Sequence, residues 1–244
     1  MSVSHHPKQN HLLAALPEES YARLHGDLEL VAMPLGWMLS DSGATIKNIY
    51  FPTSSIVSLL YVTINGASSE IAVAGIEGMV GVSIFLGSGG ASNRSVVQSA
   101  GLGYRLNLES SQREFALGGV FQELMLRYTQ SLMTQMGQTA VCNRHHSIDQ
   151  QLCRWLLLSI DRVSGNELIM TQQLIANMLG VRREGVTEAA GKLQAAGLIR
   201  YQRGKITMLD RSIMEARVCE CYSVVKREFE RLMGTALPLE PTSH

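Results

Sequence analysis

The sequence predicts an α+β fold in three parts: an N-terminal jelly-roll-like β-roll, a long dimerisation helix and a C-terminal winged helix-turn-helix. Three changes of texture along its 244 residues carry that expectation. From Leu28 to Leu108 the segments are short and rich in Val, Ile, Tyr and Thr, with turn residues between them. Beyond Ser110 the apolar residues recur every three or four positions. From Gln172 a two-helix pattern with a glycine at its turn runs into two further strand-like stretches. The expected boundaries are 1–109 for the roll, 110–145 for the helix, 146–215 for the winged unit and 216–244 for a last helix and tail.

Leu12, Leu13, Leu16, Tyr21 and Leu24 set out a short amphipathic helix over residues 12–25, with Pro17 inside it at a new helical start. After Gly26 the strand-like runs are Asn48–Phe51, Ile56–Ile64, Glu70–Ala74 and Ser95–Gln98. Turn signals stand at Pro34-Leu35-Gly36, Ser42-Gly43, Asn65-Gly66, Glu77-Gly78 and Gly87–Gly90. Asn-Gly between two such runs is the strongest hairpin signal, because both residues tolerate the positive φ that a tight turn demands.

Leu117, Phe121, Leu124, Tyr128, Leu132, Met136 and Ala140 then form a continuous stripe on a helix of about 30 residues, roughly 45 Å long. That stripe exceeds what one small domain covers, which favours pairing with a twin across a dimer axis over a core helix within one domain; Gly118, Gly119 and Gly137 argue against an ideal zipper. Ser147-Ile148-Asp149 reads as a cap opening a helix through Ile160, with Leu152, Trp155, Leu156 and Ile160 on one side. Ser164-Gly165-Asn166 ends it, and Pro238 to His244 reads as a frayed tail.

With 21 basic and 21 acidic residues the net charge is zero, which excludes a uniformly polybasic chain. The zero is uneven: up to His146 there are 8 basic and 10 acidic residues, beyond it 13 and 11. Apolar runs such as Leu12–Leu16 and Trp155–Leu158 are far shorter than the roughly 20 residues a membrane helix needs, and the N-terminus lacks the features of a secretory signal. A cytoplasmic protein with reduced thiols at Cys142, Cys153, Cys219 and Cys221 is expected, with no membrane partner, no cofactor and no metal. No nucleophile–base pair, metal cluster or phosphate loop stands out, so no enzyme is expected.

Function is carried by Gln172 to Gln194. Ala176 is small where two helices must approach, Gly180 lies in the turn, and Ile175, Leu179, Val181, Val186 and Ala189 fill the packing positions. Thr171 can cap the first helix and offer its hydroxyl to a phosphate. A second helix laid in the major groove presents its first turn to base edges, where Arg pairs with guanine and Glu accepts from cytosine. Arg183, Glu184, Gly185, Thr187 and Glu188 are the outward base-reading candidates, and Arg182 and Lys192 are spaced for phosphates. Leu198–Tyr201 and Ile206–Leu209 flank Gln202-Arg203-Gly204-Lys205 as a basic wing whose Arg203 and Lys205 would neutralise phosphates. Double-stranded DNA is the expected partner.

A β-roll, a long helix and a winged unit containing Leu179-Gly180-Val181-Arg182-Arg183-Glu184-Gly185-Val186 resembles the Crp/Fnr family of bacterial transcription regulators over nearly the whole chain. The resemblance implies a cyclic-nucleotide-binding-like sensor, a homodimer, a palindromic operator and contact with RNA polymerase. Arg183-Glu184 matches the family's Arg-Glu at the start of the recognition helix, whereas Glu188 stands where cyclic-AMP receptors carry Arg.

Gly78 to Arg94-Ser95 resembles the family's phosphate-binding cassette. Gly81, Arg94 and Ser95 match it as effector-binding residues, but Val82 replaces the Glu that holds the ribose. An apolar side chain leaves a ribose hydroxyl unpaired, which disfavours cyclic AMP and leaves another small-molecule or nucleotide effector, or an Arg94–carboxylate pair, as the use of this segment. The alternative function is a cyclic-nucleotide-binding signalling module acting through protein contacts. No cysteine precedes Cys142 and no His lies between His25 and His145, so the family's N-terminal iron–sulfur cluster and haem sensing are not expected.

His145-His146 stands at the junction of helix and winged unit, expected as a solvated or capping pair, with a metal or pH role as the alternative. Cys219 and Cys221, two apart in a helical pattern, are expected to point apart and to pack, with redox sensing as the alternative.

Overall fold

The computed structural model describes residues 5–87 and 89–234; the tail expected over Pro238 to His244 lies outside them. At the N-terminus the single helix expected over 12–25 is two, α1 (His11–Ala14) and α2 (Glu18–His25). Pro17 stands just ahead of α2, because it has no N–H to give to a preceding turn. Asn10 caps α1 and also donates its amide to the carbonyls of Pro52 and Gly78 at 2.8 Å each, tying this end to the roll.

The strands are β1 (Glu29–Met33), β2 (Met38–Ser40), β3 (Asn48–Pro52), β4 (Ile56–Val62), β5 (Ser68–Ala74), β6 (Arg94–Ser99) and β7 (Gly101–Asn107). They build two antiparallel sheets, ordered β1-β7-β3 and β2-β6-β4-β5. Asn65-Gly66 does turn a hairpin: Thr63 N–H bonds Ala67 O at 2.8 Å around a three-residue loop, with Gly66 at φ 86°. Ile49, Phe51, Leu59, Val97 and Leu106 from the two sheets share one core with Leu12, Leu13 and Leu24.

The helix expected to run unbroken from Ser110 is interrupted. α3 (Leu108–Ala116) ends at Leu117, and α4 (Gly119–His145) starts afresh, because Gly118 and Gly119 take φ values of 76° and 73° that no right-handed helix holds. Leu117 is consequently off the stripe and 63% exposed. Most of the rest of the proposed dimer stripe turns inward: Phe121, Leu124, Tyr128 and Leu132 are at most 2% exposed and, with partly buried Met136, join the roll's own core, while Ala140 at its end is exposed. The large apolar residues of α4 that are exposed are Val120, Leu126, Met133 and Val141.

α5 (Ile148–Ile160) opens on a capping box between Ser147 and Gln150. Every residue from Gln151 to Ile160 is buried, rather than one side only, because α5 lies between two partners. One is the winged unit: β8 (Glu167–Ile169), α6 (Gln172–Leu179), α7 (Arg183–Ala195), β9 (Ile199–Gln202) and β10 (Lys205–Met208), whose strands pair in the order β8-β10-β9. The other is the roll, whose Ile56, Leu60 and Val73 share a core with Leu152, Trp155, Ile175 and Leu179. Arg162 beyond α5 pairs with Glu77 of the roll at 2.7 Å, both nearly buried. α8 (Arg211–Arg217) and α9 (Glu220–Met233) complete the chain, and α9 packs along α4 until Met233 enters the roll's core. Among the described residues no helix is long and apolar enough to cross a membrane.

Candidate nucleic-acid interface

Thr171 caps α6, its hydroxyl oxygen accepting from Leu174 N–H at 3.2 Å. Ala176, 1% exposed, lets α7 approach, and Gly180 turns the chain at φ 67° while Val181 N–H returns to Ala176 O at 3.0 Å. Val186, Ala189, Ala190 and Leu193 bury the inner face of α7 against Ile175, Leu179 and α5. The outer face is what remains: Arg183, Glu184, Thr187 and Glu188 are all exposed.

The base-reading candidates differ in their partners. Arg183 and Glu184 occupy the first turn of α7, and neither is engaged by an ion pair among the described residues. The Thr187 hydroxyl shares its one proton between Gln172 Oε1 at 2.8 Å and Arg183 O at 3.0 Å, and the first contact ties α7 to the start of α6. Glu188 is held by Lys192 at 2.9 Å. Gly185 is not outward as expected: a Cβ there would lie 2.8 Å from Ile148 Cδ1, so it is the point where α7 meets α5.

The phosphate candidates divide in the same way. Lys192 also contacts Asp149 at 3.3 Å, and Lys205 pairs with Glu167 at 2.8 Å. Arg182 and Arg203 are exposed and carry no carboxylate partner among the described residues. Arg200, which the sequence did not single out, projects from the outer face of β9 between buried Ile199 and half-buried Tyr201, also without one. The wing turns at Arg203-Gly204 with φ values of 51° and 78°, the two positive values of a type I′ hairpin. An arginine in that conformation is strained, and it sits at the tip. Tyr201, whose hydroxyl bonds Met170 O at 2.7 Å, donates its backbone N–H to Gln194 Oε1 of α7 at 2.8 Å, so wing and α7 are close neighbours.

In the roll, Arg94 forks onto Asp41 at 3.0 and 2.9 Å, and the guanidinium holds the Asp41 carboxyl below the usual carboxylate range. Ser95 is 2% exposed on β6, paired between β2 and β4. Gly81 takes φ 108° over Ile49 and lines a shallow pocket with Ser40, Lys47 and Asn48, a pocket that Arg94 and Ser95 do not reach.

At the other end of α4 the structure gathers what the sequence kept apart. Cys142, His146, Cys219 and Cys221 place their sulfur and nitrogen atoms within 4.8 Å of one another. Cys219 and Cys221 do not point apart, because Cys219 precedes α9 with extended backbone (φ −70°, ψ 161°) and only Cys221 is helical. His146 caps the end of α4, while His145 faces solvent.

Residues 150–217 match the Crp-like helix-turn-helix domain family. They are a Crp-like DNA-binding domain, in a chain with the Crp/Fnr regulator fold. FixK2 from Bradyrhizobium japonicum superposes with a TM-score of 0.66, at 10% identity over 79% of this chain and 98% of that one. The c-di-GMP-responsive regulator CLP from Xanthomonas campestris gives 0.61, at 15% identity over 80% and 100%. A Crp/Fnr-family transcriptional regulator from Eubacterium rectale gives 0.59, at 20% identity over 84% and 96%. No curated protein matches the chain.

Proposed function

We propose that the chain is a homodimeric, sequence-specific transcription regulator that reads a palindromic operator through α7, is not an enzyme, and answers to an effector other than cyclic AMP, if to any. The observation that carries this reading is the exposed Arg183-Glu184 pair on the first turn of α7, engaged by no ion pair among the described residues, in a Crp-like helix-turn-helix domain. That turn is the part of a recognition helix that meets base edges. Arg182, Arg200 and Arg203, without a carboxylate partner among the described residues, flank it for backbone phosphates, with Thr171 at the start of α6; Lys192 and Lys205 first have to leave their carboxylates.

Dimerisation in this reading uses the outer face of α4, where Leu126, Met133 and Val141 are exposed, not the buried stripe. Two recognition helices about 34 Å apart then span one turn of B-DNA. Arg94 being taken up by Asp41 speaks against a cyclic-nucleotide module. Contact with RNA polymerase belongs to the same proposal.

Sequencing of genomic fragments bound by the purified protein tests it. An inverted repeat with two half-sites one turn apart is expected, and Arg183→Ala removes the preference. Fragments indistinguishable from random DNA, together with an unaltered Arg183→Ala profile, would overturn it.

A further inference from the structure

The cluster at the end of α4 has the donors and the spacing of a metal centre. Cys142 Sγ lies 3.6 Å from Cys219 Sγ, and Cys221 Sγ lies 3.5 Å from His146 Nδ1. Around a tetrahedral zinc with Zn–S of about 2.3 Å and Zn–N of about 2.0–2.1 Å, neighbouring sulfurs stand about 3.8 Å apart and sulfur and nitrogen about 3.5 Å. Both separations in the cluster fall within about 0.2 Å of those figures. The three cysteines are at most 3% exposed, in a small cluster of their own with Val218 packed against it.

The surroundings fit as well. His146 turns Nδ1 to the cluster and Nε2 to Glu220 Oε1 at 3.4 Å, the outer carboxylate that commonly orients a metal-bound imidazole. Three thiolates and a divalent ion leave one net negative charge. Arg154 of α5, 4% exposed, lies within electrostatic reach of Cys142 and Cys221, and its Nε has no hydrogen-bond partner. That places an under-used buried cation beside the site.

We propose that Cys142, His146, Cys219 and Cys221 form a closed zinc site, with three thiolates and one imidazole, that fastens the α4–α5 hinge to the α8–α9 turn. Four protein ligands leave no open position, so the ion is structural, and sulfur-rich tetrahedral donors select zinc over oxygen-seeking cations. His146 is one residue before the Ser147 cap of α5, and Cys219 is the residue before α9. The ion therefore holds the entry to the DNA-binding domain against the helix that packs along α4.

Elemental analysis of the full chain, expressed in zinc-supplemented medium and purified under reducing conditions, is expected to find one zinc per chain. Cobalt exchanged into the site is expected to show the visible bands of tetrahedral coordination together with thiolate charge-transfer absorption. Cys142→Ser and Cys221→Ser lower the content at least tenfold. Cys153→Ala, at a buried cysteine outside the cluster, keeps it. Should the serine variants fail to fold, His146→Cys decides: a site of four thiolates retains zinc and strengthens the charge-transfer bands of the cobalt form. Less than a tenth of an equivalent of metal in the folded chain after zinc reconstitution would overturn the proposal. So would a Cys142–Cys219 disulfide in place of the metal, or zinc that survives loss of either serine-replaced ligand.

Discussion

Trp155 donates its indole N–H to Glu70 Oε1 at 3.0 Å, joining a helix of the DNA-binding half to a strand of the roll. The carboxyl is 7% exposed, and its second oxygen has no partner. Burial outweighs the help from Ser58, Arg154, Trp155 and Arg162 and pushes Glu70 up to about 7.

Because the folded chain holds this proton more tightly than the unfolded one, the resulting stability is full below about pH 4.5 and is lost as pH rises through about 7. The shift corresponds to about 3 kcal/mol. Glu70→Gln keeps an acceptor for Trp155 without the charge. Urea unfolding at pH 4.5 and pH 8 is expected to show wild type losing about 3 kcal/mol more than the variant across that interval. Parallel pH profiles for the two proteins would refute this.

Arg203 carries a positive φ at the wing tip, and asparagine tolerates that conformation better. Arg203→Asn is expected to stabilise the domain by about 1 kcal/mol while weakening DNA binding and reducing the slope of log affinity against log salt by about 1. Thermal melts and fluorescence anisotropy at several salt concentrations measure the two effects, and a variant that loses both stability and affinity would contradict the role.

Leu126→Glu and Met133→Glu change exposed residues of α4, 45% and 61% accessible. Sedimentation of either variant is expected to show monomers at micromolar concentration with stability within about 0.5 kcal/mol of wild type. Leu124→Ala, on the buried face, is expected instead to cost about 2–5 kcal/mol in urea unfolding. Glutamate variants that remain dimeric would place the dimer face elsewhere.

Calorimetry with cyclic AMP is expected to be silent for wild type, since Arg94 is engaged by Asp41 and Val82 offers no ribose partner. The ion pair is about two-fifths exposed, so Asp41→Ala is expected to leave stability nearly unchanged. Micromolar binding heats in wild type would contradict the assignment.

What was legible in the sequence was what local chemistry dictates. Asn65-Gly66, the Gly180 turn, the Ser147 cap and the Arg203-Gly204 wing each announce themselves within a few residues. What was not legible depends on distant partners. The stripe on α4 is apolar whether a twin or the roll covers it, and only the fold decides for the roll. Arg94 meets Asp41 across 53 positions, and Cys142 meets Cys219 across 77, so neither pairing has a local signature. The break at Gly118-Gly119 was written in the sequence, but two glycines within an apolar period signal weakness without saying whether the helix bends or ends.

Met233, close to the last described residue, is fully buried in the same core as Leu12 and Leu13. Part of that interior is therefore covered by a residue made only after the whole DNA-binding domain. N-terminal domains ordinarily fold first during synthesis. Here a side chain of the last described helix covers part of the first unit's core, so a chain cut short before α9 leaves that part of the roll's interior open.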